Sequence, residues 1–95
     1  MPAFAAPDVE AGEIIFNANC AACHAGGQNV IMPEKTLEKE AIEKYLAGGR
    51  TMEAIMNQVT VGKNAMPAFG GRLEDEQIAN VASYVMAASE AGWDE

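Results

Sequence analysis

Cys20-Ala21-Ala22-Cys23-His24 gathers both cysteines of the chain and its one histidine into five consecutive positions. A chain carrying this segment must fold so that two thiols and one imidazole meet a common object. The C-x-x-C-H order is that of covalent haem attachment. Two thiols separated by two residues can each add to a vinyl group of one porphyrin, and the next residue carries its imidazole under the ring to the iron. Cys20 and Cys23 are therefore read as the anchors of one haem c, and His24 as the proximal iron ligand. A thioredoxin-like redox pair belongs at a helix start after a strand, and no period-2 strand pattern of useful length occurs here. A zinc site needs four ligands, and no third cysteine or second histidine exists.

The 95 residues make one domain. A chain this short buries only about 60–65% of its unfolded surface, so an apolar cofactor would add much to its core. No apolar run approaches the length of a membrane span, so no stable membrane insertion is expected. Fourteen acids against six bases give a formal charge of −8. That excess argues against nucleic acid and anionic membranes, and favours a partner with basic residues. Haem attachment to thiols takes place outside the cytoplasm, so the chain is expected to be exported. Residues 1–7 read as an N-terminal extension, a signal or vector remnant with a small-x-small segment at Ala3-Phe4-Ala5. Residues 8–95 form the domain.

The pattern from Asp8 onward is helical. Asp8 is a suitable N-cap with Glu10 in the first turn, and Val9, Gly12, Ile15 and Phe16 share a face. A glycine four residues before a phenylalanine implies a second helix crossing closely there. This helix runs into the haem motif. The loop after His24 opens with Gly26-Gly27. A backbone carbonyl near Met32-Pro33 is the candidate acceptor for the other ring nitrogen of His24. Thr36 is expected to cap a second helix that turns Leu37, Ala41, Ile42, Tyr45 and Leu46 inward and ends at Gly48-Gly49. Thr51 caps a third, carrying Ile55, Met56 and Val59, and Gly62 stops it. The last helix starts at Glu74-Asp75-Glu76 and carries Ile78, Val81, Ala82 and Val85, with Tyr84 beside them. The expectation is all-α: about four helices around one haem.

A six-coordinate, low-spin iron needs a second ligand, and with no other histidine it must be methionine or lysine. Met52, Met56 and Met86 fall on helices and suit core gap-filling. Met32 follows His24 so closely that swinging round the ring would strain the loop. Met66 lies in an interhelical loop stiffened by Pro67, far enough along the chain to reach the opposite face. Met66 is the candidate, with Met32 or an iron left open or otherwise ligated as the alternatives. A His/Met pair raises the potential and leaves no position for oxygen or peroxide, which suits a one-electron carrier rather than an enzyme.

These residues resemble the class I cytochromes c, and most closely the cytochrome c6 family. The resemblance rests on Asn17 to His24, Gly26-Gly27, Asn29-Val30, Pro33 and Lys35-Thr36-Leu37. It continues through Gln58-Val59-Thr60, Gly62-Lys63, Ala65-Met66-Pro67-Ala68-Phe69-Gly70, Ile78-Ala79, Val81 to Val85 and Gly92-Trp93. Three departures stand out: the stretch from Tyr45 to Thr51, Met32, and the pair Val61 and Asn64.

The resemblance implies a class I cytochrome c fold. It implies a soluble carrier moving electrons from cytochrome f of the cytochrome b6f complex to photosystem I in the thylakoid lumen, and the carrier reading favours a monomer or weakly self-associating protein. It implies that Gln58 lies near the haem and helps set its potential, that Asn29 and Pro33 belong to the haem surroundings, and that Arg72 helps docking. The expected contact surface is an apolar rim from Met66 to Phe69 with Gly26-Gly27 opposite. Two alternatives stand beside this reading: a bacterial periplasmic cytochrome donating to a terminal oxidase, and a haem sensor or enzyme with a displaceable distal methionine.

Overall fold

The computed structural model describes residues 8–29, 34, 36–46, 48–62, 66 and 68–93. Its elements are α1 (Val9–Asn19), α2 (Ala21–His24), a 3₁₀ turn (Ala25–Gly27), α3 (Lys39–Tyr45), α4 (Met52–Val61) and α5 (Asp75–Glu90). The all-α architecture is as expected: four helices of seven residues or more, plus one helical turn at the cysteine motif.

The N-termini form where short polar side chains meet orphan amides. The Asp8 carboxylate accepts from the amides of Glu10 and Ala11 at 3.0 and 3.2 Å, and the Thr51 hydroxyl accepts from Ala54 at 3.1 Å. At α5 the Glu74 amide donates to the Gln77 side chain at 2.8 Å, half of a capping box. Two boundaries differ from expectation. Thr36 does not start α3; its hydroxyl accepts from the Glu38 amide at 3.2 Å, forming a turn ahead of the helix, and Glu38 is the cap residue. The helix also ends at Tyr45, with Leu46 extended after it, before Gly48-Gly49 is reached.

α1 crosses α5 at Gly12. A Cβ there would overlap the Asn80 carbonyl and lie 3.0 Å from Tyr84 Cβ, so the two backbones meet where only hydrogen is tolerated. The Asp8 amide donates to the Asn80 side chain at 2.8 Å, fixing the same crossing from one end. Phe16, Ile42, Ile55, Val59, Phe69, Ile78, Val81, Ala82 and Val85 form the buried core. Met52, Met56 and Met86 pack against it partly buried, as gap-fillers do. Val9, expected on the inner face of α1, is 41% exposed, because it stands in the first turn beyond the crossing.

Two links hold the C-terminal end of α5. Gly92 and Trp93 donate to the Ser89 and Ala88 carbonyls at 3.2 and 2.7 Å, the paired bonds of a Schellman motif with Gly92 at φ 77°. Arg50 reaches from the α3–α4 connection to the same helix end. It donates to the Met86 carbonyl at 2.8 Å and the Ser89 hydroxyl at 3.0 Å, and lies 3.2 Å from Glu90 Oε1. A guanidinium there adds a bond to the Met86 carbonyl, which also accepts from the Ser89 hydroxyl, and faces the negative end of the helix dipole. The departure from family pattern noted between Tyr45 and Thr51 is thus a stretch tied to α5.

Candidate functional site

α1, α3, α4 and α5 enclose an apolar cleft of about 750 Å³, counting its open mouth. Its walls are Phe16, Ile42, Ile55, Val59, Val81 and Val85 from the core, with Leu37, Ala41 and Leu46 toward the mouth. Tyr45 also lines it, yet is 41% exposed, so it stands at the lip rather than inside. Four polar or sulfur-bearing side chains at this wall carry chemistry: Cys20, His24, Gln58 and Met66.

Cys20 ends α1, and its amide donates to the Phe16 carbonyl at 2.7 Å. The motif therefore does not prolong α1. It winds its own turn, with the His24 amide bonded to the Cys20 carbonyl at 3.0 Å. Burial pushes the Cys20 thiol up to about 11, because an apolar wall disfavours thiolate. A redox-active C-x-x-C pair has the opposite character, a thiol pulled down toward neutrality. Cys23 belongs to α2, but its side chain lies outside the described set.

His24 Nδ1 donates to the Gln28 carbonyl at 2.9 Å. A carbonyl can only accept, so the ring proton sits on Nδ1 and the lone pair of Nε2 is left for another partner. The expected acceptor near Met32-Pro33 is thus corrected to Gln28, in the turn directly after the motif. Met32 and Pro33 themselves lie outside the described residues. Nothing in a side-chain pattern marks a backbone acceptor; the available signal was the closeness of Gly26-Gly27 to His24, which allows a tight return.

Met66 faces the cleft from the loop after α4. That loop is tied back to the helix it has just left. Phe69 and Gly70 donate to the Val59 and Thr60 carbonyls at 2.9 and 3.0 Å, satisfying acceptors that the end of α4 would otherwise leave unpaired. The Gln58 side-chain amide donates to Met66 Sδ at 3.5 Å, within the longer reach of sulfur. Gln58 and Met66 are thereby brought together at the cleft.

The remaining sequence candidates stand elsewhere. Asn29 is half-buried and is not among the residues lining the cleft. Arg72 is exposed, with its guanidinium 5.7 Å from the centre of the Phe69 ring. The expected apolar rim needs correction at two places: Phe69 is 5% exposed and Gly27 is buried. Gly26, Ala68, Gly70 and Gly71 are exposed, and Val61 is 59% exposed.

The donor set suits a haem c. The walls are apolar, one thiol and one thioether face the space, and the histidine has its second nitrogen already engaged. Among the described residues no buried side-chain polar atom is left unpaired, so the site is a finished apolar recess rather than a polar ligand pocket.

A family model described as cytochrome C oxidase, cbb3-type, subunit III matches residues 7–85. The chain is 66% identical over 87 residues to cytochrome c6 of Bumilleriopsis filiformis, covering 92% of this chain and 99% of that protein. It is 60% identical over 91 residues to cytochrome c6 of Porphyra purpurea, covering 96% and 80% respectively. The solved structure of cytochrome c6 from the diatom Phaeodactylum tricornutum superposes with a TM-score of 0.90 at 80% identity, over 90% of this chain and 99% of that one.

Proposed function

The chain belongs to the cytochrome c6 family of class I c-type cytochromes, and from that premise we propose that it carries single electrons from cytochrome f of the cytochrome b6f complex to photosystem I in a thylakoid lumen. As a member of the family it is an electron carrier with a covalent haem c and its iron, not an enzyme, and it exchanges electrons with redox partners outside the cytoplasm. No helix among the described residues is long and apolar enough to cross a membrane.

The observation that carries the residue assignment is the convergence of Cys20, His24, Gln58 and Met66 on one apolar cleft. In this reading Cys20 and Cys23 would hold the haem through thioethers, and His24 and Met66 would ligate its iron. When bound, the haem supplies a one-electron iron couple at a potential raised by the thioether. The chain does the rest. The Gln28 carbonyl holds the proton of His24 on Nδ1, which fixes the ring and raises its basicity. Gln58 steadies the Met66 sulfur. The apolar walls exclude water, so little solvent need reorient when charge changes.

Gln58 should also tune the potential. Its N–H dipole points its positive end at the sulfur, which favours the reduced centre. Gln58→Val is expected to lower the midpoint by roughly 40 mV, the one-electron equivalent of a hydrogen bond worth about 1 kcal/mol. The optical band of iron–sulfur bonding should persist. A midpoint unchanged within error would remove Gln58 from the account.

Docking follows from charge and exposure. The net charge of −8 steers a basic partner surface, and the small exposed rim around Ala68, Gly70 and Val61 makes a short-lived final contact. The function is tested by transient electron transfer to photosystem I. The rate should fall as salt screens the attraction over about 8–10 Å, and Arg72→Glu should slow it at every ionic strength. A rate flat in salt and indifferent to Arg72 would count against this partner or this face. The match to the oxidase-subunit model supports a second acceptor, a terminal oxidase in a bacterial periplasm, and the same assay with oxidase in place of photosystem I separates the two.

A further inference from the structure

Trp93 is the one non-glycine residue among those described with a positive φ, 61°. A bulky side chain in the left-handed region costs roughly 1–2 kcal/mol, and such strain persists where the surroundings impose it. The Schellman bonds at the end of α5 turn the indole back over the body of the protein. There it packs against Phe16 and Tyr84, with ring centroids at 5.6 and 5.8 Å. It also fills the space a side chain on Gly27 would need: a Cβ there would lie 2.5–2.6 Å from three indole carbons. The indole N–H donates to the Leu37 carbonyl at 2.8 Å. The Leu37 amide in turn donates to the Gly27 carbonyl at 2.8 Å.

The indole, Leu37 and Gly27 thus form a closed clasp, and Gln28 is the next residue. Gly26 and Gly27 both have positive φ, 65° and 81°. A turn of two such glycines has little stiffness of its own, and a Cβ on Gly26 would meet nothing within 4 Å. The clasp therefore fixes the peptide leading to the Gln28 carbonyl from the Gly27 side, while the Gln28 side chain donates to Glu38 at 3.2 Å. That carbonyl is the acceptor for His24 Nδ1.

We propose that Trp93 is a positioning residue for the His24 imidazole, acting through Leu37 and Gly27 on the carbonyl of Gln28. The proposal rests on the reading of His24 as an iron ligand. Losing the clasp lets the Gln28 carbonyl drift. The Nδ1–H bond then weakens, the imidazole becomes a poorer donor to iron, and the midpoint potential rises.

The test uses haem-loaded protein. Trp93→Phe keeps a ring on Gly27 and removes the N–H; Trp93→Ala removes both. Solvent exchange of the His24 Nδ1 proton, followed by NMR in the reduced state, should quicken about tenfold in Trp93→Phe, the effect of one weakened hydrogen bond, and further in Trp93→Ala. The amides of Val81 and Ala82, deep in α5, report global opening and should keep their rates relative to the Phe variant's measured stability. The midpoint should rise in both variants. Nδ1 exchange that is unchanged, or that quickens only in step with Val81 and Ala82, would reduce Trp93 to a packing residue and overturn the proposal. Wild-type His24 ring protons without the large upfield shifts of an axial ligand would instead overturn the ligand reading, and the proposal with it, before any variant is made.

Discussion

Met66→Ala is expected to convert a low-spin, six-coordinate iron into a high-spin one and to abolish the weak long-wavelength band of iron–sulfur bonding. Among the described residues Met66 is the methionine that lines the cleft, on a loop held to α4 through the Val59 and Thr60 carbonyls. Its backbone anchors do not involve the sulfur, so the loop should keep its course when the thioether is removed. Carbon monoxide, which the proposed ligation would exclude from the wild type, should then bind the reduced variant. Met66→His separates ligation from simple damage: it should stay low-spin, lose the sulfur band, and fall in potential by a few tenths of a volt, within the span of about 0.8 V that axial ligands cover. Persistence of the band in Met66→Ala would mean that another methionine, such as Met32, is the ligand.

The second large effect concerns the crossing of α1 and α5. Gly12→Ala would ordinarily stabilise an exposed helix by about 1 kcal/mol. Here the added carbon meets the Asn80 carbonyl and Tyr84, backbone and branch point that cannot swing aside. The helices must separate, loosening Phe16 from Tyr84, whose rings lie 5.2 Å apart. The expected outcome is a net loss of about 2–3 kcal/mol, a large part of a typical stability of about 5–15 kcal/mol. Denaturant unfolding of the haem-loaded protein measures it. A variant as stable as the wild type would show that the crossing is looser than these contacts require.

What could be read in advance was whatever a side chain announces. Asp8 and Thr51 cap because short oxygens reach free amides, and Gly12 announced a close crossing because a missing Cβ has few other uses mid-helix. The place of Met66 at the cleft could be anticipated because it stands in a loop, unlike Met52, Met56 and Met86. Other features belong to the backbone or to distant partners and leave no local trace. The Gln28 carbonyl carries no side-chain signature, whereas the proline further on does. Thr36 looked like a helix cap, but its hydroxyl serves an earlier turn, and Leu37 is held from both sides by Gly27 and Trp93. Arg50 lies 39 residues from Ser89, a pairing that no periodicity encodes. Phe69 looked like rim because it stands in a loop, yet it packs into the core at 5% exposure.

In the proposed assignment His24 and Met66, both at one apolar cleft, would hold the iron of a carrier that changes its charge by one and would leave no position for an outside ligand. A redox titration followed by optical spectra tests this most directly. The account predicts a single reversible one-electron transition, low-spin spectra at both ends, the iron–sulfur band in the oxidised form, and no spectral change when carbon monoxide is added to the reduced form. A high-spin spectrum, or a reduced form that takes up carbon monoxide, would contradict it and point to a sensor or enzyme with a displaceable methionine.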